Sequence, residues 1–250
     1  MINILNEIDQ LQKEINEYRP IDKYLLEQIK NYYRIGLTYT SNALEGNSLT
    51  ETETKIVLED GITIGGKPLK DHYEAVGHSE AFDFMHTMAR AKKNSISKKD
   101  IKMLHRLFYH RINNNEAGNY RTVRVFMQGS KYPLPLPEEV PDLMKELIVK
   151  LDNLRKEKHP VEFAALAHKM FVLIHPFIDG NGRVARLLMN LSLLQNGYNI
   201  AIIPPVMRPD YIDAIEKARE DDRSFIDLIA QMVRETQKDY IRLFKLNEKI

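Results

Sequence analysis

The chain has 250 residues, 43% of them hydrophobic, enough for one large domain or two small ones around a sizeable core. Its 36 basic and 35 acidic residues nearly cancel, so no global field steers it toward nucleic acid or a membrane surface. It has no cysteine, which excludes a disulfide, a thiolate nucleophile and a Cys-bound zinc, and which fits a reducing cytoplasm without requiring one.

In chain order, residues 3–18 place Ile4, Leu5, Ile8, Leu11 and Ile15 on one helical stripe. The start, Met1-Ile2-Asn3-Ile4-Leu5-Asn6-Glu7-Ile8-Asp9, lacks the basic region and continuous apolar run of a signal peptide. A second helical stretch, 23–45, stops at Gly46-Asn47. Ser48-Leu49-Thr50-Glu51 places a cap ahead of a helix over 51–60, closed by Gly61. The loop Gly61–Lys67 leads through Pro68 to a long helix, 69–93, and Ser97 caps another that runs to 112. That loop has Walker A spacing, but Pro68 stands where Ser or Thr should hold Mg²⁺, so it is read as an ordinary loop.

Residues 114–137 break the helical pattern. Tyr120, Thr122, Val123, Val125 and Phe126 are strand formers, Gly129-Ser130 marks a turn, and Pro133, Pro135 and Pro137 forbid a helix. The expectation is a β-hairpin or extended flap. Helical spacing returns at 138–156, 160–174, 182–196, 209–219 and 223–248. No run reaches the roughly 18 apolar residues of a membrane span. The predicted fold is mainly α, a helical bundle with one β-hairpin flap. A helical amino-terminal region, 1–68, is expected to form one compact unit with a core over 69–250 that carries the flap at 118–137.

The chemistry concentrates in His175-Pro176-Phe177-Ile178-Asp179-Gly180-Asn181-Gly182-Arg183-Val184-Ala185-Arg186. Pro176 disfavours α geometry at His175, so the imidazole sits at a corner after helix 160–174. A histidine titrates near neutrality and can take a proton from a hydroxyl. Phe177 anchors the loop. Gly180-Asn181-Gly182 opens the next helix, whose free N–H groups and positive dipole end form an anion site. Glycines there let phosphate oxygens approach the backbone. Arg183 and Arg186 share a face in the first turn, where cations oppose the dipole and need anions. Asp179 supplies a hard oxygen for Mg²⁺ bridging phosphates. His168 lies two turns before His175 without further ligand spacing, so it reads as a packed residue. His72, His78, His105 and His110 carry no chemistry that the sequence can argue.

This run matches, without a gap, the Fic signature His-x-Phe-x-Asp/Glu-Gly-Asn-Gly-Arg-x-x-Arg, and the resemblance extends over about residues 35–235. Ser41-Asn42-Ala43-Leu44-Glu45-Gly46 resembles the family's inhibitory motif, Ser/Thr-x-x-x-Glu-Gly/Asn, placed before the core. Ser41 and Glu45 lie one helical turn apart on the same face, and Gly46 can close the helix.

The resemblance implies transfer of AMP from ATP to a Ser, Thr or Tyr hydroxyl of a protein, with release of pyrophosphate. It implies His175 as general base and Asp179 as holder of Mg²⁺ (or Mn²⁺). The N–H groups of Gly180, Asn181 and Gly182 would hold the α-phosphate, Arg183 the β-phosphate and Arg186 the γ-phosphate. Gly182 matters because the kinase-like Doc branch has lysine there. The flap, with Ser130, Lys131 and Tyr132, would cover the nucleotide and dock an extended target segment by strand pairing. Tyr211 and Arg219 fall where the family contacts adenine or ribose. One departure is Pro133-Leu134-Pro135-Leu136-Pro137, where the family often has a Pro-Pro run.

Glu45 would pair with Arg186 and occupy the γ-phosphate position, an electrostatic brake. Alternatives are removal of AMP in the same pocket, with Glu45 positioning water, or an ATP-binding module without turnover. Expected partners are a hydroxyl-bearing protein, including the chain itself, and a second copy in a homodimer. No nucleic acid or membrane is expected, nor a winged helix after the core, since the chain ends soon after residue 245.

Overall fold

The computed structural model describes residues 2–91, 95–127 and 130–247. Helix α1 spans Ile2–Glu17. Asp22 then accepts from the N–H groups of Tyr24 and Leu25 and starts α2, Lys23–Ala43. Thr50 and Glu53 close a capping box on α3, Glu51–Glu59. Pro68 leads into α4, Leu69–Arg90. Ser97 and Asp100 close a second capping box on α5, Lys98–Tyr109. A 3₁₀ turn at Pro137–Glu139 feeds α6, Val140–Glu157. Next come α7, Pro160–Ile174, and α8, Asn181–Gln195. A 3₁₀ turn at Pro205–Met207 precedes α9, Arg208–Lys217, and α10 covers Arg223–Asn247. Every helix predicted from apolar spacing is present. Residues 92 and 93 of the predicted helix 69–93, and residue 248 of the last helix, lie outside the described residues.

The α7–α8 pair forms the centre. Helix α8 packs against α7, α4, α5 and α2, which explains why it is buried nearly all round. Leu187, Leu188, Leu191 and Leu193 are fully buried, each contributing roughly 1.5–3 kcal/mol of transfer free energy as an upper estimate. Its buried Asn190 is paired on both sides: it donates to the Ala201 carbonyl and accepts from the Ala201 N–H. Helix α6 covers α7, and α10 packs against α7, α9 and α1. Helices α2 and α3 lie on α4, so the amino-terminal segment reaches the start of α8 through α2.

The flap departs from the hairpin expectation. No residue of 118–137 among those described is in a strand. Proline at 133, 135 and 137 removes the donors that a ladder needs. The segment is held instead by Arg121, which is buried. Its guanidinium donates to the carbonyls of His175 (2.8 Å), Val123 (3.2 Å) and Pro135 (2.6 Å). Its backbone N–H donates to the Pro176 carbonyl at 2.9 Å. Gly129 of the predicted turn lies outside the described residues.

Candidate active site

The corner at His175 is sharper than a break in helix. His175 caps α7 in the left-handed region, φ 53° and ψ 57°, a conformation costly for a side-chain-bearing residue. It is held by the Arg121 bond to its carbonyl and by its own N–H bond to the Phe171 carbonyl. Its Nδ1 lies 3.2 Å from the Val172 carbonyl. That contact fixes the proton on Nδ1 and leaves Nε2 as the basic nitrogen. Burial pushes the His175 pKa below the ordinary histidine value, keeping the ring neutral.

Below the corner the loop is pinned from inside. Phe177 is fully buried. Asn181 accepts from the Phe177 N–H at 2.9 Å and donates to the Phe177 carbonyl at 2.8 Å. Its side chain therefore ties the loop rather than facing a ligand. His105, set aside at the sequence level, stacks on Phe177 with ring centroids 3.8 Å apart. Its Nδ1 accepts from the Gly118 N–H, so its Nε2 donates to the Asp179 carbonyl at 3.1 Å. Burial lowers its pKa to about 4, which keeps it in that neutral tautomer. One histidine thus joins the start of the flap to the loop. Gly180 takes φ 79° beside the Phe108 ring, where a Cβ would clash, and α8 begins there without a side-chain cap. The first amides of α8 have no intrahelical partners.

The two arginines of α8 are both met by carboxylates from the amino-terminal half. Arg186 is buried. Its Nε donates to Ser41 Oγ (2.9 Å), and its Nη2 to the Ser41 carbonyl (2.8 Å) and Glu45 Oε1 (2.7 Å). Its Nη1 reaches the Tyr211 hydroxyl at 3.2 Å. Burial disfavours the ionised Glu45, but the charges of Arg186 and Arg183 outweigh it and hold its pKa below the ordinary value. Gly46, at φ 93°, ends α2 and lets Glu45 turn toward the arginine. Gly182 leaves the space that Glu45 fills: a Cβ there would run into the Glu45 carboxylate.

Arg183 forms an ion pair with Glu74 Oε1 (3.0 Å), donates to Asp179 Oδ1 (3.1 Å) and lies over the Phe108 ring at 4.5 Å. Asp179 Oδ1 also accepts from the Gly180 N–H at 2.6 Å. Burial opposes ionisation of Asp179, yet the Arg183 charge and this amide keep its pKa below the usual carboxylate value. Its second oxygen, Oδ2, faces Lys70 Nζ at 3.5 Å.

These groups share a cavity of about 330 Å³. Its walls include His175, Asp179, Gly182, Arg183, Glu45, Tyr211 and Ser130. Arg186 and Ser41 lie behind that wall, and Gly180 and Asn181 form the turn beneath it. Lys131 and Tyr132 line a neighbouring depression with Glu216 and Glu220. Arg219 reaches the flap, its guanidinium 4.6 Å above the Tyr132 ring and Nη2 3.3 Å from Ser130 Oγ. Tyr211 turns its hydroxyl away from the cavity, toward Arg186 and toward His168 Nε2 at 2.7 Å. His168 is the packed residue expected.

Glu74, Lys70, His105, Arg121 and Arg208 were missed at the sequence level. Arg208 donates to the Leu44 carbonyl at 2.7 Å and so holds the end of α2. Asn47 and Ser48 tie the same segment to Glu74 and Asp71 of α4. The one sequence hint for any of these is Lys70, a cation in the first turn of α4, where the dipole favours acids.

A scan of family models matches residues 95–193 to the Fic/DOC family. A curated protein of Nematostella vectensis, "Protein adenylyltransferase Fic", is 38% identical over 208 residues, covering 81% of this chain and 48% of that protein. "Protein adenylyltransferase fic-1" of Caenorhabditis elegans is 34% identical, covering 83% of this chain and 41% of that protein. The chain thus spans about half the length of the curated relatives it matches. Among solved structures, C. elegans Fic-1 (aa134–508) aligns with a TM-score of 0.88 and 31% identity, covering 98% of this chain and 72% of that one. A Fic domain containing signaling protein from Bacteroides thetaiotaomicron aligns with a TM-score of 0.89 and 27% identity, covering 96% of this chain and 97% of that one.

Proposed function

The chain belongs to the Fic/DOC family, and from that premise we propose that it is a protein adenylyltransferase held in check by its own amino-terminal segment. The observation that carries this reading is the single cavity shared by His175, Asp179 and the uncapped start of α8. A base, a hard carboxylate and a set of aligned amides are what transfer at phosphorus requires. Such transfer depends on positioning and charge stabilisation more than on covalent help.

His175 Nε2 removes the proton of a Ser, Thr or Tyr hydroxyl on a target protein. The hydroxyl oxygen forms a bond to the α-phosphorus of ATP as the bond to the bridging oxygen breaks, and pyrophosphate leaves. The amides of Asn181 and Gly182 stabilise the α-phosphate oxygens, joined by that of Gly180 once Asp179 Oδ1 releases it. Arg183 faces the β-phosphate and Arg186 the γ-phosphate, each once its carboxylate partner gives way. Asp179 fits a divalent cation of the Mg²⁺ type, held by one carboxylate plus substrate phosphates. Among the described residues no cluster of three or more His, Cys, Asp or Glu could cage a metal, which suits an ion shared with substrate. Mg²⁺ or Mn²⁺ there supplies neutralisation of phosphate charge. Ser130, Lys131, Tyr132, Tyr211 and Arg219 are assigned to the nucleoside side of the cavity. The flap serves as the docking edge for the target, which includes the chain itself. A homodimer and a cytoplasmic setting belong to the same proposal. No helix among the described residues is long and apolar enough to cross a membrane.

Glu45 keeps this site idle by occupying Arg186. The side chain of Glu45 is 33% exposed to the cavity, which supports a second reading: the same carboxylate orients water for removal of AMP from a modified protein. The test is incubation of wild-type, Glu45→Gly and His175→Ala proteins with Mg²⁺ and α-³²P-labelled ATP. A covalent label strong in Glu45→Gly, weak in wild type and absent in His175→Ala is expected. Absence of label in all three, with nucleotide binding intact, overturns AMP transfer in favour of AMP removal or of binding without turnover.

A further inference from the structure

Asp179 is held unevenly. Its Oδ1 is saturated by the Gly180 amide and Arg183. Among the described residues, its Oδ2 meets the Lys70 ammonium, at 3.5 Å. Lys70 is also 3.6 Å from Glu74 Oε1, the oxygen that Arg183 uses. The lysine therefore stands at the mouth of the cavity between two carboxylates. Its side chain is 55% exposed, so its four-carbon stem can withdraw into solvent without disturbing the core. Its placement is not explained by helix stability. A cation in the first turn of α4 opposes the helix dipole, and exposed ion pairs of this kind contribute little to folding.

We infer that Lys70 is a tethered cation that competes with the divalent metal for Asp179 Oδ2 and so sets how strongly metal-bound nucleotide is preferred over metal-free nucleotide. This inference rests on the reading of Asp179 as the metal holder. An ammonium and a divalent ion cannot both approach one carboxylate oxygen without strong repulsion. Metal arrival must displace Lys70, which costs the pair it makes. Metal-free triphosphate meets the opposite situation, since Lys70 attracts its negative charge. Neutralising Lys70 therefore favours the metal complex and disfavours the free nucleotide, and both effects enlarge the same ratio.

The experiment measures Kd for AMP-PNP by calorimetry in excess Mn²⁺ and again in EDTA, on the full chain with and without Glu45→Gly. The readout is the ratio of the EDTA value to the Mn²⁺ value. Lys70→Gln is expected to raise that ratio roughly twofold to fivefold, the scale of losing one partly exposed ion pair. Lys70→Arg keeps the charge and is expected to leave it within twofold. A ratio that does not rise in Lys70→Gln, or a Kd in Mn²⁺ that weakens rather than tightens, overturns the inference, because a lysine that only touches phosphates loses affinity for the metal complex as well as for the free nucleotide. Asp179→Asn is the separate control and should bring the ratio close to one. A ratio unaffected by Asp179→Asn defeats the metal reading itself, whatever Lys70 does.

Discussion

The loop over residues 175–186 and the flap over 118–137 face the same cavity but are built differently. The loop is fixed from several sides: Asn181 bonds both backbone groups of Phe177, His105 stacks beneath it, and both arginines are met by carboxylates. The flap is fastened chiefly by Arg121, with no ladder among its described residues. Groups that must sit within a fraction of an ångström of a reacting atom need such over-determination. A surface that receives a partner gains from backbone groups left free to pair. Its outermost side chain fits that use: Phe126 is 94% exposed.

The contrast breaks first at His175. His175→Ala should lower AMP transfer by about 10²–10⁴-fold, the usual worth of a general base, with little change in nucleotide Kd. A single-turnover assay beside calorimetry checks both. Next is Arg121→Ala, which leaves three carbonyls without the donor of a buried guanidinium. It should cost about 3 kcal/mol, read as a lower midpoint in urea, with hydrogen exchange rising in the flap before the loop. Arg121→Lys should rescue little, since one ammonium cannot span the three acceptors.

The pH profile sharpens the comparison at smaller amplitude. Burial lowers the His175 pKa from 6.5, so the base stays neutral through neutrality and the rate falls only as pH drops through the depressed value. The acid limb of kcat/KM for Glu45→Gly protein should therefore lie below pH 6.5. A limb above that value would show that His175 is stabilised as the cation. The smallest effect belongs to Phe126→Ser, expected to move stability by less than about 0.5 kcal/mol. Its consequence should appear in KM for the protein target and not in Kd for nucleotide.

Much of the site was legible in the sequence. The Fic-like run placed the corner, the turn and the arginines, because each depends on neighbours in sequence: proline after histidine, glycine at a positive φ, amides at a helix start. The pairing of Glu45 with Arg186 was legible only through a motif, since nothing in local spacing brings α2 to α8. His105 was unreadable. A histidine on an amphipathic helix looks the same whether it packs inertly or bonds to Gly118 and Asp179. The flap departed from the hairpin because its strand formers cluster beside a turn signal, while its prolines remove the donors that pairing requires.

The sequence by itself determined the ten helices among the described residues, the caps of α3 and α5 and the chemical character of the 175–186 loop, because these follow from periodicity and short-range hydrogen bonding. Only the tertiary structure decided which charges meet. Glu74 and Lys70 come to Arg183 and Asp179 because α4 packs along α8, and Arg121 reaches the His175 carbonyl because the flap crosses the end of α7. Long-range electrostatic pairing is fixed by how helices pack, and a one-dimensional pattern carries no distance between residues far apart in the chain.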